Sequence, residues 1–296
     1  MIEIKGEIMS TKFYVSCSDG RVIAATKYLA VEPLKKQFII INSALGVRQS
    51  FYQALALYLS QNGYSVLTWD PRSIGESKTV SARKDAARLR DWGALDLEAI
   101  LNHVVGESWT NWDNITLLGH SAGGHLTGLC RSINKISNIV FISAGTCGWH
   151  LYPVKQWPRM WFAWYLMFPL LIKGIGYIPG KFGIGHDLSK GVALDWRNWS
   201  INKDYLFSDT TLTNTYYHQF EGTIHSIGFS DDVGFSPKNT IYDLLSRFPK
   251  ASKKIRIYNP KELSLNRVGH FGFFKRENKN VWEKVLLNIL NKSQIK

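Results

Sequence analysis

Acidic residues are scarce in this sequence. Against 36 Lys and Arg stand 23 Asp and Glu, a formal net charge of +13 over 296 residues. Such an excess attracts nucleic acid, anionic lipid or acidic substrates. The basic runs that accompany it, KDAARLR (84–90) and KASKK (250–254), are short and mixed. Nucleic-acid readers concentrate their charge on one face or along one helix, so a solvated basic surface is expected and nucleic acid is not. Cysteine is also rare. Cys17, Cys130 and Cys147 are scattered, odd in number and without CxxC spacing, which argues against a disulfide framework and a zinc site and leaves reduced, partly buried thiols. Long apolar runs are missing too. The longest, MWFAWYLMFPLLI (160–172), has 13 residues and is interrupted by Pro169. It is too short to span a bilayer, though it could lie on a membrane or line an apolar pocket. The opening MIEIKGEIMSTK carries acidic residues and no apolar core of a signal peptide, so a cytoplasmic location is expected.

What is present is an α/β pattern. The composition, 45% hydrophobic and 20% charged, is that of a globular protein. KFYVSCSDGRVIAATKYLA (12–30) reads as a hairpin around Ser18-Asp19-Gly20, and QFIII (37–41), YSVLTW (64–69), NITLL (114–118) and NIVFIS (138–143) as buried strands. TIHSIGF (223–229) and KIRIY (254–258) follow later. Between them lie helical stretches. Ser50 and Gln53 pair as a capping box ahead of Phe51, Tyr52, Leu55 and Leu59, and Gly63 marks a stop. DWGALDLEAILNHVV (91–105) is a second helix, and a last one carries Val281, Val285, Leu286 and Ile289 behind Asn280 and Glu283 as a cap. Alternating strands and helices imply right-handed βαβ units and a mostly parallel sheet. The alternation fails between 148 and 222, where tryptophans, glycines and prolines replace any core strand. The expected division is therefore a core of 1–147 and 223–296 with a cap or lid at 148–222.

LLGHSAGGH (117–125) contains Gly119-x-Ser121-x-Gly123 between a strand and the helical stretch HLTGLCRSI. In that setting it is a nucleophile elbow. The turn is so tight that side chains two before and two after the serine collide, and Ser121 Oγ stands clear above the sheet. The Ala122 amide then points to where an oxyanion forms, and the following helix adds its positive end. Serine needs a base and the base an orienting acid, in chain order Ser, acid, His. His270 in NRVGHFGFF (266–274) lies after the last strand and is the expected base. His120 and His125 flank the serine and pack or tune the pocket, while His103 is expected on a helix surface. His150, His186 and His218 fall in the insertion and His225 within a strand. The acid comes from IGFSDDVGFSP (227–237). Counting three beyond Gly228 gives Asp231, with Asp232 as the alternative.

These motifs resemble the α/β-hydrolases over nearly the whole chain, in the serine-aminopeptidase and monoacylglycerol-lipase-like branch. TWDPRSIGES (68–77) is similar to that branch's D-x-R-G-x-G-x-S loop, with Ser73 where glycine is usual. NSALGVRQSFY (42–52) resembles the loop after the third strand, without its usual His-Gly start. The resemblance implies that Ser121 attacks a carbonyl, that His270 relays the proton and that the acid, here Asp231, holds the imidazole. The amides of Leu45 and Ala122 are then the oxyanion hole. No metal or organic cofactor is implied. GIGYIPG (174–180) misses G-x-G-x-x-G and follows no strand, so a dinucleotide site is discarded.

The tryptophans of 148–222, Trp149, Trp157, Trp161, Trp164, Trp196 and Trp199, either pack the cap onto the sheet or line an apolar substrate site. A small hydrophobic ester is the expected substrate, with peripheral membrane contact through the cap as a further option. Aminopeptidase, thioesterase and acyltransferase activities use the same triad, and a non-catalytic ligand-binding protein uses the same fold. A peptidase needs a cap acid for the substrate amine, with Asp187, Asp195, Asp204, Asp209 and Glu221 as candidates.

Overall fold

The computed structural model describes residues 10–32, 34–182 and 185–292; most of the opening segment read above, residues 1–9, lies outside them. Eight strands form the main sheet: β1 (Ser10–Ser16), β2 (Val22–Tyr28), β3 (Phe38–Asn42), β4 (Ser65–Trp69), β5 (Ile115–His120), β6 (Asn138–Ile142), β9 (Thr223–Phe229) and β10 (Ser252–Tyr258). Their order is β1-β2-β4-β3-β5-β6-β9-β10. Only the β1–β2 and β2–β4 pairs are antiparallel, and the other five are parallel. A separate two-stranded sheet, β7 (Tyr177–Ile178) and β8 (Leu188–Ser189), lies in the insertion.

The continuous apolar runs are explained by burial on both faces. Along β3, Ile39 and Ile41 join one core and Phe38 and Ile40 the other. Helix α1 (Gln53–Gln61) packs Leu55, Ala56 and Leu59 into the first core, where Val281, Val285 and Leu286 of the C-terminal helix (279–292) meet them. The helix over 89–106, with Leu97, Ile100, Leu101 and Val104, covers the opposite face. All the parallel strands point their C-terminal ends to one edge of the sheet, the edge on which such folds assemble sites.

Three local expectations are corrected. The Ser50–Gln53 capping box does not form, because a 3₁₀ turn at Gln49–Tyr52 leads directly into α1 and Tyr52 is its N-cap. The final helix starts at Lys279 behind Asn278 without a side-chain cap. The helix after the elbow is four residues long, Ala122–His125, and breaks into 3₁₀ turns at Thr127–Leu129 and Arg131–Lys135. Thr127 Oγ1 donates to the Gly124 carbonyl at 2.6 Å, satisfying it from the side chain. Helix-dipole support for an oxyanion is correspondingly small, since a macrodipole needs aligned turns.

Residues 148–222 add a long helix over 157–175, with a π-helical stretch at Phe162–Met167, and a second helix, Lys190–Ser200. The second helix is tied to the core by Asp195. Its buried carboxylate takes Arg88 Nη2 at 2.6 Å and Arg90 Nη2 and Nε at 2.9 and 3.0 Å. Without Asp195, Arg90 keeps only Asp209 as a partner and Arg88 turns to solvent, so the cost comes mainly from the half-paired Arg90 and the lost tie between helix and core. Asp195→Ala is therefore expected to lower the free energy of unfolding by about 2–4 kcal/mol in urea titrations. A change below about 0.5 kcal/mol would mean that both arginines simply return to water.

Candidate active site

The elbow depends on two backbone approaches that only glycine allows. Ser121 has φ +51° and ψ −117°, a conformation that costs a non-glycine residue on the order of 1–3 kcal/mol. It is held by its own amide donating to Ile142 O at 3.2 Å and by Gly124 N–H donating to its carbonyl at 2.9 Å. A Cβ on Gly119 would lie 2.7 Å from Gly124 Cα, and one on Gly123 would lie 2.4 Å from Asn42 O. Both positions are closed to any side chain. Asn42 stands at the end of β3. Its Nδ2 donates to Gly123 O at 3.3 Å and its Oδ1 accepts Trp69 Nε1–H at 3.1 Å, so the asparagine fastens the elbow to two neighbouring strands.

The loop after β3 turns tightly, with Val47 N–H donating to Ala44 O at 3.1 Å and Gly46 at φ +68°. The Ala44 amide is taken by Tyr52 Oη at 2.8 Å. The Leu45 amide has no acceptor among the described residues, and the Ala122 amide opens a helix, where no carbonyl four residues back serves it. Both residues line one cavity together with Ser121 and His270. The loop after β4 is shaped by Asp70, which accepts Gln49 N–H at 2.7 Å and Glu76 N–H at 2.9 Å. Ser73 there adopts φ +73°, a left-handed conformation that favours glycine.

His270 Nδ1–H donates to Asp232 Oδ2 at 2.7 Å, with both side chains buried. Asp231 does not face the imidazole. Its Oδ2 accepts the backbone amides of Val268 and Gly269, each at 2.9 Å, and so braces the loop that carries His270. The preference for Asp231 is thus corrected to Asp232. The physical reason is that β9 runs one residue past Gly228, to Phe229, and Asp232 N–H then donates to Phe229 O to close the turn. Successive side chains leave that turn in different directions.

His125, also close to the serine, is spent on structure. His125 donates Nδ1–H to Gly145 O at 3.1 Å and receives the Tyr205 hydroxyl on Nε2 at 3.1 Å, and burial pushes its pKa down to about 4. His103 is half-buried between Phe13 and Trp109. Sequence reading missed Phe235, stacked on His270 with centroids 4.8 Å apart, and Tyr152, whose hydroxyl donates to Phe235 O at 2.7 Å. No local pattern in the sequence marks either residue. Cys147 also lines the cavity, and burial raises its pKa, which disfavours the thiolate.

The cavity measures about 970 Å³ and is walled largely by apolar side chains, among them Phe51, Trp164, Met167, Phe168 and Trp196. Arg48, Arg159 and His186 also line it, and among the described residues no Asp or Glu does. Of the candidate amine-holding acids, Asp195 and Asp209 pair with Arg90, Glu221 with Lys250 and Asp204 with Arg247, while Asp187 accepts Gly180 N–H. Among the described residues no three metal-ligating side chains cluster.

A mostly parallel eight-stranded sheet flanked by helices, with a serine elbow and a His–Asp pair at its C-terminal edge, defines an α/β-hydrolase. The chain belongs to the serine aminopeptidase S33 family, whose profile matches residues 34–217. That match includes the elbow and ends before Asp232 and His270. Among solved structures, a soluble variant of monoglyceride lipase from Saccharomyces cerevisiae with a substrate analogue superposes with a TM-score of 0.71 at 15% identity, covering 100% of this chain and 99% of the other. DcsB in complex with its substrate analogue gives 0.66 at 14%, covering 97% and 100%. An esterase from Exiguobacterium antarcticum gives 0.60 at 13%, covering 95% and 100%. At these identities the likeness is one of fold. No curated protein matches the sequence.

The two neighbouring aspartates separate cleanly by substitution. If the pair orients a catalytic base, Asp232→Asn is expected to lower kcat on an activated ester by about 10³–10⁴-fold, the cost of a misoriented imidazole. Asp231→Asn keeps one acceptor oxygen for the loop amides and is expected to cost about tenfold or less. Steady-state kinetics on an activated ester decide it, and equal losses would overturn the distinction.

Proposed function

We propose that the protein is a serine hydrolase that cleaves a carboxylic ester with a hydrophobic acyl or aryl group. The observation that carries this reading is the large apolar cavity, which has Ser121 and His270 in its wall and Asp232 behind the imidazole. Ser121 Oγ attacks the ester carbonyl while His270 Nε2 takes its proton. The tetrahedral oxyanion is held by the Leu45 and Ala122 amides. His270 returns the proton to the leaving alkoxide, releasing the alcohol and leaving an acyl-enzyme. Water, deprotonated by His270, then attacks the acyl carbonyl and releases the acid and Ser121. Asp232 keeps the proton on Nδ1 so that Nε2 is free to accept. The mechanism calls for no metal or organic cofactor.

The charge of the cavity bears on the alternatives. An aminopeptidase must neutralise a substrate α-ammonium, and the cations at the cavity wall oppose it. Thioesterase and acyltransferase activities share the triad and differ in leaving group and acceptor. A fluorophosphonate probe is expected to label the wild-type protein and not Ser121→Ala, and p-nitrophenyl butyrate is expected to be hydrolysed in preference to aminoacyl p-nitroanilides. Absence of labelling in folded wild-type protein, with and without detergent, would favour a ligand-binding protein.

A second element of this reading is peripheral membrane contact through the cap. The outward face of the 157–175 helix exposes Trp161 (61%), Tyr165, Leu166 and Leu170 (61%). Residues 148–186 contain Lys155, Arg159, Lys173 and Lys181 and no acid, a combination that suits an anionic lipid surface. No helix among the described residues is long and apolar enough to cross a membrane. Cosedimentation is expected with phosphatidylglycerol vesicles, more weakly with phosphatidylcholine, and to be lost in Trp161→Ser/Leu170→Ser. Equal recovery of both proteins in the supernatant would remove this element and leave the chemistry untouched.

A further inference from the structure

One buried group of polar side chains is not used by the mechanism above. Tyr52 and His120 are both 0% exposed, and together they join the three loops on which that mechanism depends. The Ala44 amide donates to Tyr52 Oη at 2.8 Å, Tyr52 Oη lies 2.9 Å from His120 Nδ1, and His120 Nε2 lies 2.9 Å from the backbone carbonyl of His270. The proton positions follow by elimination. A carbonyl only accepts, so Nε2 carries the proton. Burial, together with the nearby His270, holds the His120 pKa well below the ordinary imidazole value. The ring is therefore neutral, Nδ1 is the acceptor, and the Tyr52 hydroxyl donates to it. Every donor and acceptor in the chain is matched, and the aromatic faces of Phe271 and Phe274 seal the ring, with centroids 5.6 and 4.4 Å away.

We propose that Tyr52 and His120 are positioning residues for catalysis, a relay that fixes the Leu45 amide, Ser121 and His270 relative to one another. At the first end, the Ala44 amide is held by Tyr52 and the Ala44 carbonyl by Val47 N–H. That carbonyl shares its planar peptide with the Leu45 N–H, so fixing one aims the other. In the middle, His120 is the residue before Ser121. At the far end, the hydrogen bond to the His270 carbonyl holds the backbone that carries the imidazole, which lines the same cavity as Ser121. Because His120 stays uncharged, a positive charge on His270 meets no second cation across the 5.0 Å between their ring centroids. A misplacement of about 1 Å in a reacting group costs on the order of 10²-fold in rate, which makes such a brace valuable for kcat and nearly irrelevant to substrate affinity.

The proposal rests on the serine-hydrolase reading, and the experiment separates the two. Hydrolysis of p-nitrophenyl butyrate is measured for the wild type, Tyr52→Phe, His120→Gln, His120→Leu and Tyr52→Phe/His120→Leu, together with thermal melts and fluorophosphonate labelling rates. Tyr52→Phe keeps the ring and loses only the hydroxyl. It is expected to lower kcat about tenfold with KM within about threefold. His120→Leu is expected to lose about 100-fold. Glutamine at 120 can still donate toward the His270 carbonyl and is expected to recover most of that loss. The double variant is expected to be no slower than His120→Leu, because both residues act through one chain. The relay is overturned if folded Tyr52→Phe keeps kcat within about twofold of wild type, if the single losses multiply in the double variant, or if kcat falls only as far as the folded fraction does. If the wild type itself neither hydrolyses esters nor takes the probe, the serine-hydrolase reading falls and the relay with it. Active wild type with unaffected variants removes the relay alone.

Discussion

The site depends on an approach too close for a side chain. Gly123, in the first turn after the elbow, lies against the last residue of β3 so tightly that a Cβ would meet the Asn42 carbonyl oxygen at 2.4 Å. The contact sets the spacing between the serine and the loop carrying the Leu45 amide, because both hang from the ends of adjacent strands. Asn42 then turns contact into attachment, with one side-chain bond to Gly123 O and another from Trp69. The branch's usual loop start, His-Gly, is absent, and Asn42-Ser43 stands in its place with the loop still turning at Ala44–Val47. Strain at Ser121 is affordable only because its neighbours are fixed in this way.

Much of this was legible in the sequence because it rests on local rules. The buried strands appear as unbroken apolar runs, as in QFIII, since helices cover both faces of the sheet. The elbow is legible because steric exclusion leaves glycine alone at 119 and 123. The placing of His270 after the last strand, where it meets a carboxylate, is legible from chain order. Which of the two aspartates meets His270 is not legible, for a reason that lies outside composition. Two adjacent aspartates are chemically identical, and which one meets His270 depends on where β9 ends, a matter of one residue of hydrogen-bonded register. Tyr52 was read as one apolar position on a helix face, and nothing in a periodicity separates a packed phenol from one whose hydroxyl bridges two loops. The cap was the least legible region. Its helices cover a site, and a tryptophan gives the same signal whether it packs inward, as Trp164 does, or stands exposed, as Trp161 does.

The two aspartates also show how one short turn serves two needs. Asp232 faces the imidazole, and Asp231 gathers the two amides just before it in the chain. Loop and side chain of His270 are therefore oriented by consecutive residues. On the opposite side, His186 of the insertion donates its amide to Gly46 O at 2.8 Å. The insertion thus contributes to the cavity wall and also takes part in shaping the loop that carries Leu45.

The 157–175 helix separates two environments with a wall one helix thick. Met160, Trp164 and Phe168 turn to the cavity, and Trp161, Tyr165 and Leu170 turn outward. Its sequence therefore has a phase as well as a composition. Inserting or deleting a single residue rotates everything beyond it by about 100°, which would turn inner residues out of the cavity toward the helix flank without changing the overall hydrophobicity. Evolution can vary the size of individual side chains along this helix, but its length can drift only by steps that restore the phase. The cap is therefore free to change what it touches and constrained in how it is spelled.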